Sequence, residues 1–520
     1  MNLNLFLIQL VLITSVLMLT QARRLPRGWL IVNVLILIVL GGSLILWPEW
    51  AGWISGGVWL VVFLLPLLGS GRVNRLVSQE RYHAARQLAF WVKWLHPADG
   101  MVEYPQLLRG LALGQQGKFA AARQLLSRYQ TDVTSTGRAA TVMLYRMHAD
   151  WAGIRRWVEQ RVPEKVLDRE IGLALVYLRS LGELGDLNGL LQGAERLEQR
   201  LGRSSNPLLL NTVRLYALAF CGQVESVKRL LEQMLSVYPR QTHQFWIATA
   251  EWAAGRHAIA RELLTSLSQT EDAALQNAIN GRLAAPPLDP IQVLTEPSHR
   301  ILNQIKTAIA QESRYSSWNA VAARKSYATY GLIGINVLVF AVSSRLGGNE
   351  DLYVLYRLGA LVPEAVVTGE WWRCLTAIFL HSGLLHLSAN MLGLYVFGAL
   401  VESALGLRLF LACYFFCGIG SMLTVTLIAI TTPALPQITV GASGAVLGMV
   451  GAEAAIQLKG WRLEKAKIAR ERLQLISLVV VFQLVSDLLT PQVSIIGHIS
   501  GTILGFLAGL VLFKPSRRSG

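Results

Sequence analysis

Residues 438–458 read ITVGASGAVLGMVGAEAAIQL and residues 494–513 read SIIGHISGTILGFLAGLVLF. Each is apolar over about the 20 residues that a helix needs to cross hydrocarbon. In the first, Gly441, Gly444, Gly448 and Gly451 recur every third or fourth residue, and in the second Gly497, Gly501, Gly505 and Gly509 recur every fourth. Glycines at that spacing line one helix face, where missing side chains let two backbones approach closely. Two such faces are expected to pack on each other. Each also carries a polar group that is expensive in lipid and is therefore a functional candidate: Ser443 in the first, His498 in the second.

Taken as spans entered from the same side, Ile438 and Ser494 being the outer ends, the stretches put both side chains roughly 6 to 8 Å below the surface at 1.5 Å of rise per residue. Close packing at equal depth brings a hydroxyl to an imidazole, the arrangement a general base needs to activate a serine nucleophile. Ser443 and His498 are thus a candidate dyad. The segment FLHSGLLHLSANMLG, residues 379–393, adds His381, His386 and Asn390. His386 and Asn390 are four apart and share a helix face, so both are placed to donate to one developing oxyanion. The backbone N–H of Ser443, near a helix start, is a third donor because early helical N–H groups lack intrahelical partners.

On these residues the last 195 or so positions resemble a rhomboid intramembrane serine protease. The likeness rests on GASG with Ser443, on GHISGTILG with His498, on the spacing of His381, His386 and Asn390, and on Trp372 and Arg373 ahead of them. VFGALVESALGLRLFLACYFFCG, with Glu402, Gly406 and Arg408, resembles the family's link between its second and third spans. The resemblance implies cleavage of a substrate's transmembrane helix near the outer face. Ser443 is then the nucleophile and His498 the base, with His386, Asn390 and the Ser443 N–H as oxyanion hole. His381, Gly441, Gly444, Gly501 and Gly505 support the site, and the Trp372–Arg373 loop lies partly in the outer leaflet. Some relatives carry a tyrosine four residues after the serine, on which the histidine stacks; this chain has Leu447 there, so imidazole orientation is expected to rely on packing. No acidic residue has an evident place as the third member of a triad; Asp487 is the closest candidate, but it reads rather as a cap or tether of the loop before the last helix. Glu402 reads as a structural hydrogen-bonding group, and Cys413 and Cys417 as packing residues.

Outward from this core, a composition of 53 % apolar and 15 % charged residues over 520 positions excludes an ordinary soluble enzyme. Runs of spanning length predict six core helices, at roughly Tyr327 to Ser344, Leu375 to Val401, Leu409 to Ile430, Ile438 to Leu458, Leu473 to Thr490 and Ser494 to Phe513. Three more lie near the start, at Leu3 to Thr20, Trp29 to Trp47 and Trp53 to Gly69. The net charge of +16 follows from topology. Arg23, Arg24, Arg27, Arg72, Arg75, Arg324, Lys325, the basic loop 459–472 and Lys514, Arg517 and Arg518 all fall on one side, which the positive-inside rule makes cytoplasmic. Connections 48–52, 431–437 and 491–493 carry no basic residue and fall outside; only Arg357 and Arg373 break the trend. Nucleic acid is therefore not an expected partner. The first run has no basic residue before it and reads as a retained anchor rather than a cleaved signal. Four cysteines without CxxC or zinc spacing imply neither a disulfide framework nor a metal, and no cofactor is implied.

Between the two groups of spans the chain reads as amphipathic helices. Gly117, Gly153, Gly185, Gly222 and Gly255 recur at a mean of about 34 residues between paired helical patterns. That period resembles the tetratricopeptide repeat, whose stacked hairpins leave a groove for a protein or peptide partner; an irregular helical bundle is the alternative. Trp151, Trp157, Trp246 and Trp252 read as packing, and His83, His96, His148, His243, His257 and His299 as ordinary surface or half-buried histidines. AAPPLDPIQVLTEPSHR, residues 284–300, reads as a linker that ends the repeats.

The expected architecture is all-α and polytopic: anchors over 1–71, cytoplasmic repeats forming an α-solenoid over 72–312, a linker over 313–326 and a rhomboid core over 327–520. The expected setting is a bacterial cytoplasmic membrane with the active site facing outside, and the expected substrates are transmembrane proteins in the bilayer. The rival expectation is a non-proteolytic binder or quality-control adaptor on the same fold.

Overall fold

The computed structural model describes residues 3–20, 26–201, 207–284, 286, 289–315, 326–432, 438–488 and 494–514. Arg23, Arg24, Arg324, Lys325, Arg517 and Arg518, which carry part of the orientation argument, lie outside them. So do residues 433–437 and the whole 491–493 connection. The described chain is helical, with one isolated antiparallel bridge between Leu361 and Thr439. It separates into two compact units, Asn4–Ile309 and Ala310–Gly520 with Met1–Leu3.

The first unit begins with helices Leu3–Thr20, Arg27–Leu46 and Ala51–Ser78. Val11, Ile36, Leu40, Trp59 and Phe63 form their shared core. Asn33 Nδ2 donates to Ser15 O at 3.1 Å, satisfying a buried amide between the first two. The third helix widens into a π turn at Leu60–Leu64. Its cause is Pro66, which lacks an N–H and whose ring crowds the carbonyl four residues earlier.

Helical hairpins follow. Gly117, Gly185, Gly222 and Gly255 sit at the tight turns with φ between +70° and +81°, a region that costs a glycine nothing. Gly153 does not: it lies inside helix Trp151–Arg161, and the left-handed residue of that turn is Ala149, with φ +50°. The Asp150 carboxylate accepts from the Gly153 N–H at 2.8 Å, as Asp186 accepts from Gly189 at 2.9 Å, so Gly153 marks an N-cap rather than a turn. Leu190, Leu191, Leu215 and Leu218 are fully buried among the hairpins, and Ile301, Ile305 and Ile309 pack into the same core. Helix Glu296–Tyr315 starts inside the stretch that reads as linker, because Glu296 and Pro297 suit a first helical turn.

Trp246 and Trp252 are buried as expected, but Trp151 and Trp246 also flank the Arg179 guanidinium at 4.6 and 5.0 Å and line a cavity of about 100 Å³ with Glu80 and Asp272. Burial pushes the Glu80 carboxyl above its usual range there. His96 departs from the surface reading: it is 2 % exposed, stacks on Trp29 at 4.3 Å and pairs with Asp99 at 3.0 Å.

In the second unit the core helices are Tyr327–Arg345, Leu384–Leu405, Leu407–Ala429, Ser443–Glu464, Lys467–Leu488 and Ile495–Leu512. Of the nine runs expected to span, six are long and apolar enough by length and composition alone: two in the first unit, and the first, second, third and sixth of the core. The fourth core helix falls short because Glu453, Gln457 and Lys459 lie among its glycines, and the fifth because charges begin it and Asp487 lies near its end. The fourth is also surrounded by protein, with most of its residues buried, so small residues replace lipid-facing apolar ones.

Glu402 is the structural group expected. Its carboxylate accepts from the Ala328 and Thr329 N–H groups at 3.0 and 2.9 Å and from Thr329 Oγ1 at 2.7 Å, capping the first core helix. Gly406, at φ +80°, makes the turn between the second and third. Cys413 and Cys417 are buried and unbridged.

Candidate active site

The approach to Ser443 is built by backbone. Leu361 and Thr439 exchange both N–H···O bonds, at 3.0 and 2.9 Å, and the Gly441 N–H donates to Ala377 O at 2.9 Å. Residues 438–442 are therefore not helical, and Ser443 is the first helical residue rather than one turn inside the helix. Three apolar residues among the five, Ile438, Val440 and Ala442, had disguised the break as span. The change bears on chemistry, since the N–H of a first helical residue has no intrahelical acceptor. Gly441 has φ +126°, and a Cβ there would sit 2.8 Å from the His386 ring and 3.8 Å from Ser443 Oγ. Glycine thus lets His386 come up against the serine.

The fourth and sixth core helices meet along the glycine faces expected. A Cβ on Gly501 would lie 2.1 Å from Gly444 O, and one on Gly505 would lie 1.8 Å from Gly448 O. No side chain fits either gap. Ser443 adjoins Gly444, and His498 adjoins Gly497, whose carbonyl is 3.4 Å from a Cβ on Gly444. The two side chains flank one backbone contact. Ser443 is half-buried and its Oγ makes no hydrogen bond among the described residues, so the direct hydroxyl–imidazole bond is not formed in this state. Such bonds often tighten only with substrate present.

His498 is buried, and its Nδ1–H donates to Asp487 Oδ2 at 2.7 Å. Asp487 therefore does more than cap a loop. Leu447, by contrast, packs with Val450 and Ile476, so a hydrogen bond rather than packing orients the imidazole. The sequence did offer a signal: Asp487 is the one charged residue in the apolar run 473–490, and a lone carboxylate in such a run is a functional candidate.

His386 is the third residue of the second core helix, and its Nδ1 is hydrogen-bonded to Ser382 Oγ at 3.1 Å. That leaves Nε2 facing Gly441 and Ser443. Ser382 carries no sequence signal of its own. Asn390 is buried, but its Nδ2 donates to His386 O at 3.0 Å, so its amide is engaged with its own helix. His381 precedes the helix, is fully buried and accepts from the Ala442 N–H at a long 3.5 Å, which makes it a support for the serine loop. Arg373 is buried: Nη1 donates to Tyr356 O and Ala360 O at 2.8 and 3.0 Å, Nε donates to Glu370 at 2.5 Å, and the guanidinium lies 4.7 Å over Trp372. This explains its exception to the charge trend, since it staples a loop instead of marking a membrane side. Trp371 is 73 % exposed and Trp372 40 %.

Residues 368–515 match the Rhomboid domain. The chain is 31 % identical over 187 residues to the Rhomboid protease GluP of Bacillus subtilis, covering 36 % of this chain and 35 % of that protein. It is 35 % identical over 158 residues to RHOMBOID-like protein 5 of Arabidopsis thaliana, covering 30 % and 49 %. It is 29 % identical over 169 residues to the putative rhomboid protease YdcA of Bacillus subtilis, covering 32 % and 78 %. The chain thus spans less than half the length of the first two of these relatives. Glycine-faced helices carrying Ser443 and His498, the buried Arg373 staple and the Glu402 cap all lie in or beside the matched segment, and the C-terminal part of this chain carries a Rhomboid domain.

Proposed function

We propose that the chain is an intramembrane serine endopeptidase that cleaves transmembrane segments of membrane proteins near their outer ends. The contact of Gly444 and Gly448 with Gly501 and Gly505 carries this reading, because it sets Ser443 and His498 on two backbones too close for any side chain between them. Relatives of this segment named as proteases support it. His498 takes the proton of Ser443 as Oγ attacks the scissile carbonyl, then gives it to the leaving amine; water deacylates the enzyme by the same route. The Ser443 N–H and His386 donate to the oxyanion, and Asn390 joins them when its amide turns from His386 O. The active site faces outside and the repeats face the cytoplasm of a bacterial cell, the three N-terminal helices serving as anchors. The repeats, read as tetratricopeptide-like over 72–312, take a peptide or protein partner.

Purified chain in liposomes with a single-span substrate tests the reading. Cleavage is expected for wild type and a fall of at least about 10³-fold for Ser443→Ala. His386→Ala is expected to cost about 10²-fold in kcat. A fluorophosphonate should label wild type and not Ser443→Ala. Cleavage that survives Ser443→Ala would sink the assignment, and substrate bound but never cut by wild type would favour the adaptor.

A further inference from the structure

We propose that Asp487 is a positioning residue that completes a Ser443–His498–Asp487 relay, an inference that rests on the protease reading above. The Asp487 side chain is 1 % exposed and that of His498 8 %, with Oδ2 and Nδ1 2.7 Å apart. An ionised carboxylate only accepts, so Nδ1 carries the proton and Nε2 keeps its lone pair for the Ser443 hydroxyl. The other carboxylate oxygen accepts from Gln483 Nε2 at 2.7 Å, one helical turn earlier. Both oxygens are thereby fixed. Among the described residues no Lys or Arg pairs with Asp487, so the cation that compensates this buried charge is the imidazolium formed when His498 takes the serine proton. The group lies eleven residues before His498 and reaches the base from the fifth core helix.

In the step so assisted, the Oγ–C bond forms as the Oγ–H proton passes to His498 Nε2. That proton then goes to the amine as the C–N bond breaks. Asp487 stays ionised and holds Nδ1–H throughout, as the buried aspartate does in soluble serine proteases.

The test compares Asp487→Asn, Asp487→Glu and wild type in liposomes. Asparagine keeps the shape and removes the charge, and its amide can face the imidazole as a donor, which reverses the tautomer. We expect kcat to fall on the order of 10²-fold with KM unchanged, Glu to keep more of the rate than Asn, and thermal unfolding to stay close to wild type. Histidine ¹⁵N spectra should show His498 moving from the Nδ1–H to the Nε2–H tautomer in the Asn variant, a change that a purely structural role would not produce. Wild-type kcat or an unmoved tautomer in Asp487→Asn, beside a dead Ser443→Ala, would overturn the relay and leave the protease standing. An inactive wild type would overturn both.

Helix Tyr82–Leu95 buries Ala85, Ala89 and Val92 and exposes Phe90, Trp91, Trp94 and Leu95, with Trp91 68 % and Trp94 70 % exposed. Its end is tied to two spanning helices: Val92 Cγ2 would be 2.6 Å from a Cβ on Gly69, His96 stacks on Trp29, and the Gly28 N–H donates to Asp99 at 3.2 Å. Gly28 and Trp29 open one span, and Gly69 lies just before Arg72, where the other leaves its apolar stretch. The tryptophans therefore stand at the level where hydrocarbon meets headgroups, the depth amphipathic rings prefer, with Lys93 Nζ 4.4 Å from the Phe90 ring centre. We infer that this face rests in the lipid interface beside the spans.

Trp91→Cys and Trp94→Cys, labelled with an environment-sensitive fluorophore in full-length protein in phosphatidylcholine vesicles, should be quenched by doxyl lipids at least threefold more than Val133→Cys, a position 83 % exposed in the hairpins. Equal quenching at all three would overturn the assignment, whether water or another protein covers the face.

Discussion

Glycine does opposite work in the two units. In the hairpins Gly117, Gly185, Gly222 and Gly255 are chosen for φ, each at a left-handed turn; Gly117 and Gly255 also leave room for a methyl group, whereas Gly222 faces backbone at 3.0 Å. In the core Gly444, Gly448, Gly501, Gly505 and Gly509 are ordinary helical residues chosen for absence: backbone of the fourth core helix occupies the place of a Cβ on Gly501, Gly505 and Gly509, and the Ser421 and Cys417 side chains occupy it on Gly444 and Gly448. A turn adjusts locally, whereas two packed helices move only together. The same substitution should therefore cost very different amounts in the two units.

Gly505→Ala is the most severe case. Its methyl would meet the Gly448 carbonyl oxygen and Cα, atoms that no rotamer change can move. A loss of about 3 kcal/mol or more is expected, at the upper end of overpacking costs, together with loss of proteolysis as Ser443 and His498 are pushed apart. Reversible unfolding in detergent and cleavage in liposomes measure the two effects. A cost below that of a turn glycine would break the comparison.

Gly222→Ala comes next. It combines φ +70° with Ala253 and Ala254 backbone atoms at 3.0 Å from the added carbon. Strain and contact together predict about 2 kcal/mol. Gly255→Ala meets nothing within 4 Å at φ +76°, so backbone strain remains, partly offset by the freedom that alanine removes from the unfolded chain, for a net loss of about 0.5 kcal/mol. The difference between the two in urea unfolding of the full chain isolates the contact. Neither should alter cleavage.

What was readable in the sequence divides along the same line. The facing glycine rows were legible because spacing four reports a helix face directly, and they led to Ser443 and His498. The break at residues 438–442 was hidden because its bridge partner, Leu361, is 78 positions from Thr439 and leaves no local pattern. Asp487 was visible as the closest acidic candidate, but its bond to His498 was not, since neither helical nor alternating periodicity links a carboxylate on one helix to an imidazole on the next. Asn390 shares the predicted face with His386, yet its amide found a carbonyl one turn away, a competition that spacing cannot weigh. In the hairpins, Asp150 followed three residues later by Gly153 imitates the repeat period although the turn belongs to Ala149. His96 was misread because the ring it stacks on, Trp29, belongs to a different helix far back in the chain.

That last turn gives the smallest and most discriminating test. Ala149 holds φ +50° where four other hairpins have glycine, so it carries the strain that Gly255→Ala would introduce. Ala149→Gly removes that strain but adds freedom to the unfolded chain, and the two effects oppose each other. Relief is the larger, because a left-handed alanine costs roughly 1 to 2 kcal/mol and the added entropy roughly 0.5 to 1 kcal/mol. A net gain of about 0.5 kcal/mol is expected in urea unfolding, with the midpoint rising and the slope unchanged. Destabilisation instead would mean that the Ala149 methyl group makes a packing contact worth more than its backbone strain, and that φ alone does not govern the choice of residue at these turns.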